Sequence, residues 1–119
     1  MSIFNFFRRS KPRVRNTVTF TDEAVRYIRS NGAEETVRWD DLEEVVILTT
    51  DEGPYTDDVF LYLIGSDGKS GCVIPQSSDG EPELFKRLQQ LPGFDNDAVI
   101  KAMSSTSNAK FMCWKRPVA

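Results

Sequence analysis

The chain has 119 residues, 39% of them hydrophobic and 28% charged, and a formal net charge of −3. These values are typical of one globular domain with its own hydrophobic core. No histidine is present, which excludes Ser-His-Asp and Cys-His catalysis. The two cysteines, Cys72 and Cys113, are isolated in apolar runs; this excludes a zinc site and predicts buried thiols rather than a disulfide. We therefore expect no metal and no cofactor.

Residues 1–15 differ in charge from the rest of the chain. They carry a charge of +5 and no acid, whereas the remaining residues carry −8. This contrast predicts a basic N-terminal tail over 1–15 and a single domain over 16–119. A body this acidic repels nucleic acid and attracts basic protein surfaces. We therefore expect a protein partner with a basic surface and no nucleic acid.

The apolar residues of the tail precede its charges, which is the reverse of a secretory signal. No apolar run approaches the roughly 20 residues that span a bilayer, so we expect a cytoplasmic protein. Two interpretations of the tail stay open. It is either a disordered or loosely docked leader, or a weak anchor at the inner membrane face, where apolar and basic side chains suit anionic lipid. The residues of such an anchor would be Phe4, Phe6, Phe7, Arg8 and Arg9.

From Thr17 onward the sequence has the composition of β-strands separated by short turns. Asn31-Gly32 is a strong two-residue hairpin signal, because both residues tolerate positive φ. Asp40 to Leu42 predicts a turn or a single helical turn. Pro75 ends the last strand of the series at a sheet edge. The predicted strands cover 17–20, 24–29, 35–39, 45–50, 59–64 and 72–74.

Two helices and a last strand follow the predicted strands. The first helix is predicted over 81–91, with Leu84, Phe85, Leu88 and Leu91 in an apolar stripe that faces the core. Asp95 is predicted to cap a second helix that ends at Met103, with Val99, Ile100 and Met103 facing in. A final strand is predicted over 110–115. This order predicts an α+β fold: an antiparallel β-sheet meander, two C-terminal helices and a final short strand.

The step Trp39-Asp40-Asp41-Leu42, the series of hairpins and the helix behind the sheet resemble bacterial pleckstrin-homology-like domains. That resemblance covers at most residues 17–92, and the strand after the helices departs from the layout it implies. The size and character of the chain also resemble small bacterial immunity-type proteins, which neutralise a cognate toxin in the cytoplasm. Neither resemblance implies any catalytic residue.

The segment from Trp39 to Asp58 contains eight carboxylates. Neighbouring carboxylates on a strand point to opposite faces, which disfavours a two-carboxylate active site, and 51–58 lacks the spacing of a calcium loop. One interpretation is a solvated face that serves solubility. The other is a protein interface, because aromatic residues lie among the acids, as at interface hot spots. The candidate partner-binding residues are Asp40, Asp41, Glu43, Glu44, Asp51, Glu52, Tyr55, Asp57 and Asp58.

The aromatic residues of this segment differ in their predicted roles. Trp39 is either a core residue or a contact residue, since it alternates in phase with Val37, whereas Tyr55 is the expected exposed anchor. We expect a non-enzymatic binding protein, specifically a bacterial immunity protein that covers the basic active-site surface of a toxin with the acidic loop 51–58 and the elbow 40–44. The alternative is a membrane-proximal pleckstrin-like adaptor, tethered through its N-terminal tail.

Overall fold

A computed structural model describes residues 16–51, 59–66 and 70–117, which form seven strands and two α-helices. The predicted α+β fold is confirmed. The strands are β1 (Thr17–Phe20), β2 (Ala24–Ile28), β3 (Glu34–Arg38), β4 (Leu42–Thr49), β5 (Val59–Gly65), β6 (Gly71–Pro75) and β7 (Ala109–Lys115). The helices are α1 (Glu81–Leu88) and α2 (Asn96–Met103). The predicted tail over 1–15 lies outside the described residues.

The strands form two antiparallel sheets. The first has the order β1-β2-β3 and the second the order β6-β5-β4-β7. A short 3-10 helix over Trp39–Asp41 carries the chain from the first sheet to the second. Consecutive strands are neighbours in both sheets except for β7, which returns after the two helices and pairs with β4. The strands predicted as one meander therefore form two sheets, and the chain passes from one to the other at the 3-10 helix.

A hairpin between β2 and β3 forms at the predicted place, but its loop has three residues, 30–32, and not the predicted two, because Arg29 pairs with Ala33 and the N–H of Gly32 donates to the carbonyl of Arg29 at 2.9 Å. Gly32 has a φ of 92°, and the N–H of Arg29 donates to the carbonyl of Ala33 at 2.8 Å. This turn sets the register in which Tyr27 lies opposite Glu35 and Ala24 lies opposite Arg38. Arg38 directly precedes the 3-10 helix and pairs with Ala24. The open end of the hairpin, opposite its turn, therefore lies beside the start of that helix.

One hydrophobic core joins both sheets and both helices. The predicted stripe of α1 is confirmed at its centre, where Leu84 and Leu88 are fully buried. Residues from every layer contribute to this core, among them Val25, Val37, Val45, Leu63, Ile74 and Cys113. The core therefore fixes α1 and α2 against the strands and defines one face of each sheet as the inner face.

The predicted inward face of α2 is wrong for Ile100 and Met103, whereas Val99 packs against the core as predicted. Ile100 is 64% exposed and Met103 is 49% exposed, whereas Ala98 and Ala102 are buried. The two alanines lie four residues apart on one side of the helix, and their small side chains let α2 approach the sheet closely. The cap is as predicted, since the carboxylate of Asp95 accepts a hydrogen bond from the N–H of Ala98 at 3.0 Å.

Candidate partner-binding surfaces

The 3-10 helix at the elbow presents its two carboxylates to solvent. Asp40 and Asp41 are both exposed, and Trp39, which precedes them, is half-buried. The backbone N–H of Trp39 donates to the carbonyl of Glu23 at 3.0 Å, and its indole N–H donates to the carbonyl of Thr21 at 2.8 Å. The elbow is therefore joined to the turn between β1 and β2.

This connection places two further acids, Asp22 and Glu23, beside Asp40 and Asp41. The four exposed residues are called the acidic end below. None of their carboxylates forms an ion pair or a hydrogen bond with another described residue. Asp22 and Glu23 were not among the predicted partner-binding residues, although the hairpin at Asn31-Gly32 sets the register that brings them to the elbow.

Trp39 is held in one place by α1. The guanidinium of Arg87 lies 4.5 Å from the centre of the indole ring, a distance at which a cation and an aromatic face attract each other. Trp39 also packs against the edge of the core. Trp39 was predicted to be either a core residue or a contact residue, and its position fits both. Its ring packs against the core, and its half-exposed position leaves it close to the carboxylates of the acidic end.

Glu43 and Glu44 face different surroundings from the acidic end. Glu43 forms an ion pair with Arg116 at 3.2 Å. Arg116 also donates to the carbonyls of Leu42 at 2.9 Å and Trp39 at 2.7 Å, which fastens the end of β7 to the elbow. Glu44 lies on the opposite side of the second sheet, where Lys115 is its cross-strand neighbour.

Asp51 follows the other end of β4. Asp51 is exposed, and its backbone N–H donates to the side-chain oxygen of Asn108 at 3.2 Å. The eight residues of β4 span roughly 26 Å at about 3.3 Å per residue, so Asp51 is far from the acidic end. Further predicted residues lie outside the described part of the chain: Glu52, Tyr55, Asp57 and Asp58 in the acidic loop, and Phe4, Phe6, Phe7, Arg8 and Arg9 in the tail.

A groove of about 430 Å³ lies between the two helices and the second sheet. Most of its lining residues are apolar, and Glu81 is among the polar ones. Burial, followed by the nearby charge of Glu83, raises the pKa of Glu81. The volume falls in the range of small-ligand sites. Phe85 lines this groove, so part of the predicted core stripe of α1 is also a groove wall.

Both cysteines are free and buried, as predicted. Burial, with a smaller contribution from Glu35, raises the pKa of Cys72 to about 12. Burial, with a smaller contribution from Asp95, raises the pKa of Cys113 to about 11. Both thiols are therefore protonated at neutral pH and poor nucleophiles. Within residues 16–51, 59–66 and 70–117, no group of three or more Cys, Asp or Glu side chains could hold a metal ion.

The outer face of the second sheet is apolar. Cross-strand pairs place large apolar side chains on the side away from the core, around a hollow of about 340 Å³. Val46 is buried at the centre and Met112 is 46% exposed. The apolar residues of the outer face are Val46, Leu48, Phe60, Tyr62, Ile64, Val73 and Met112, and the charged residues Glu44 and Lys110 line the same hollow. The sequence analysis did not identify this surface, because a continuous apolar strand such as β5 suggests burial on both sides.

The comparisons with known proteins give no relative for this α+β domain. No protein-family model, no curated protein and no solved structure matches the chain. In the part of the chain that the structure describes, no helix has the length and apolar character needed to cross a membrane.

Proposed function

We propose that the protein is a non-enzymatic binding protein that engages a basic protein partner through the acidic end. In its most specific form, the proposal is a bacterial immunity protein that acts in the cytoplasm and neutralises a cognate toxin by covering its basic active-site surface. The observation that carries the proposal is the arrangement of four exposed carboxylates around Trp39, which Arg87 holds in place.

The described acids fall into two groups with different consequences for binding. Glu34, Glu35 and Glu43 form ion pairs with arginines of the same chain. The acidic end has no such partners among the described residues, so a basic surface can bind there without first displacing an internal arginine. Its charge, added to that of an acidic body, would accelerate encounter with a basic partner at low salt.

The aromatic ring adds contact area at little entropic cost. Trp39 is already held by its indole hydrogen bond and by Arg87, so a partner that packs against its exposed edge need not immobilise it. Tryptophans in such positions are enriched among the residues that contribute most to binding energy. The acidic end thus combines long-range attraction with a preorganised contact.

The loop 51–58 is a second acidic surface in this proposal, and the distance of Asp51 from the acidic end allows the two to be separated by mutation. The test uses two full-chain triple variants with the same change in net charge. One carries Asp22→Lys, Asp40→Lys and Asp41→Lys, and the other carries Glu52→Lys, Asp57→Lys and Asp58→Lys. The binding probe is the protein encoded by the adjacent gene, and the readouts are its association rate and the rescue of growth when it is co-expressed.

The first variant should slow association about tenfold or more at low salt and less at high salt, since charge steering is screened by ions. It should also abolish growth rescue. The loop variant should have a smaller effect. Unchanged association of the first variant at low salt would refute the role of the acidic end, and an adjacent-gene product that neither binds nor inhibits growth would refute the immunity function.

A further inference from the structure

We propose that the outer face of the second sheet is the binding site of the N-terminal residues 1–15 of the same chain. The inference is independent of the partner proposed for the acidic end. It depends on three observations: the apolar character of the outer face, the position of Asn16 at its border, and the composition of the fifteen residues before Asn16.

The two sheets have outer faces of opposite character. On the first sheet, the outward cross-strand neighbours Thr19, Arg26 and Thr36 are polar and exposed. On the second sheet, the corresponding row of cross-strand neighbours, Met112, Val46, Tyr62 and Val73, is apolar, although Lys110 lies opposite Leu48 and Glu44 lies opposite Ile64. An antiparallel sheet with one face in solvent normally alternates apolar and polar residues. The second sheet departs from that pattern, and a contiguous apolar surface of this kind marks an interaction site.

Asn16, the first described residue, lies at the border of this face. It shares a surface hollow with Phe60, Val73 and Pro75. Two hydrogen bonds fix it there, since its side-chain oxygen accepts from the N–H of Ser30 at 2.8 Å and its carbonyl accepts from the N–H of Asp79 at 2.9 Å. The preceding residues therefore join the domain next to the apolar surface.

The reach of the segment is sufficient. From β6 to β7 there are three strand spacings of about 4.8 Å, or about 14 Å. The eight residues from Arg8 to Arg15 can span up to about 26 Å when extended. Phe7 and the apolar residues before it can therefore reach every part of the outer face.

The composition of the segment complements the surface and the body. Ile3, Phe4, Phe6 and Phe7 supply apolar side chains, and the following residues supply a charge of +5 against the −8 of the rest of the chain. A second copy of the domain would bring an equally acidic body to the same place. The segment is also tethered, so its effective concentration at the face is in the millimolar range typical of short linkers. These arguments favour the segment over a second copy.

The proposal has a consequence for membrane attachment. The same four apolar side chains cannot occupy the outer face and an anionic lipid surface at once. Docking on the sheet would therefore withhold the segment from a membrane, and binding to vesicles would require its release.

Two methionines provide an internal test in the full chain. Met112 lies on the outer face and is 46% exposed in the described structure, while Met103 lies on α2 and is 49% exposed. Hydrogen peroxide oxidises accessible methionines to sulfoxide, and mass spectrometry of peptides gives the rate at each site. If residues 1–15 cover the outer face, Met112 should be oxidised at least threefold more slowly than Met103. A full-chain variant with Phe4→Ser, Phe6→Ser and Phe7→Ser should remove that difference.

Three results would overturn the proposal. The first is equal oxidation of Met112 and Met103 in the unmodified chain. The second is protection of Met112 that disappears on dilution, which would assign the face to a second copy. The third is protection that appears only with phosphatidylglycerol vesicles, which would assign it to a membrane. The rate of nitration of Tyr62 gives a second readout at the centre of the same surface, with the same expected slowing and recovery.

Discussion

The side-chain carboxylate of Glu35 accepts a hydrogen bond from the backbone N–H of Val73 at 3.0 Å. Glu35 belongs to β3 of the first sheet, and Val73 belongs to β6, the edge strand of the second. The other carboxylate oxygen accepts from the guanidinium of Arg29, with its Nε at 3.1 Å. A single side chain therefore joins the two sheets and satisfies a backbone group at a sheet edge.

Replacing Glu35 should weaken the fold more than replacing its neighbour. Glu35→Ala leaves a partly buried N–H without its acceptor, which costs about 1–3 kcal/mol of unfolding free energy. Glu34→Ala is the matched control, because Glu34 pairs with Arg26 at the surface, and exposed ion pairs contribute about 0–1 kcal/mol. Urea denaturation of both variants measures the difference. Equal losses would contradict the bridging role.

Gly80 should be far less tolerant of alanine than Gly32. Both have positive φ, at 88° and 92°, so alanine at either costs about 1–2 kcal/mol in backbone strain. A Cβ at Gly80 would also collide with the carbonyl oxygen of Val18, whereas one at Gly32 meets nothing within 4 Å. Gly80→Ala should therefore cost about 2–4 kcal/mol in total. Similar denaturation midpoints for the two variants would show that the segment before α1 can move away from β1.

The hydroxyl of Thr49 should stabilise the loop before β7. Thr49 is 1% exposed, and its hydroxyl donates to the carbonyl of Ser107 at 2.8 Å. Thr49→Val keeps the shape but removes that donor, so we expect a loss of about 1–2 kcal/mol. Thr36→Val at an exposed position of β3 is the control and should change stability by less than about 0.5 kcal/mol. Thermal and urea unfolding measure both, and a neutral Thr49→Val would refute the contribution of this bond.

The buried thiols should make stability depend on alkaline pH. The pKa values of about 12 for Cys72 and about 11 for Cys113 lie above the value of about 8.5 for an unfolded cysteine. The unfolded chain therefore releases these protons first as pH rises. The stabilisation is fully present below about pH 8.5 and decreases toward the folded pKa values, by up to about 1.4 kcal/mol per pH unit for each group.

A conservative variant isolates this effect from other alkaline ionisations. Cys72→Val should show a shallower decrease of unfolding free energy between about pH 8.5 and 10.5 than the unmodified chain. Ellman's reagent should react slowly with the native protein at pH 8 and rapidly after denaturation. Parallel pH profiles for the two proteins, or fast native reaction, would contradict the burial of this thiol.

The features that sequence could predict are those with local causes. The place of the turn at Asn31-Gly32 and the Asp95 cap depend on a few adjacent residues, and both are as expected, although the loop has three residues and not two. Ile100 and Met103 were wrongly predicted to face the core, because the inward side of α2 depends on how closely the helix packs against β7. Because α2 lies close to the sheet, the small side chains of Ala98 and Ala102 face it and the larger Ile100 faces solvent. The local sequence pattern does not indicate how closely a helix will pack against a sheet.

The candidate site shows the same division. The exposure of Asp40 and Asp41 follows from their place at an elbow, but the addition of Asp22 and Glu23 requires the register of β2 and β3. The separation of Asp51 from the elbow follows from the eight-residue length of β4. The outer face could not be foreseen, since an apolar strand gives no indication of whether one side or both are covered by the rest of the fold.

The pairing of β7 with β4 has a consequence for how the protein is made. Trp114 lies opposite Val45, and its indole N–H donates to the carbonyl of Pro92 at 2.8 Å. During translation, the first hairpins can assemble early, while the second sheet stays incomplete until residue 115 has emerged from the ribosome. Contacts between residues distant in sequence form slowly. Until β7 pairs, the nascent chain therefore exposes the backbone hydrogen-bonding groups along the edge of β4 that faces away from β5. We expect chaperone binding at that stage.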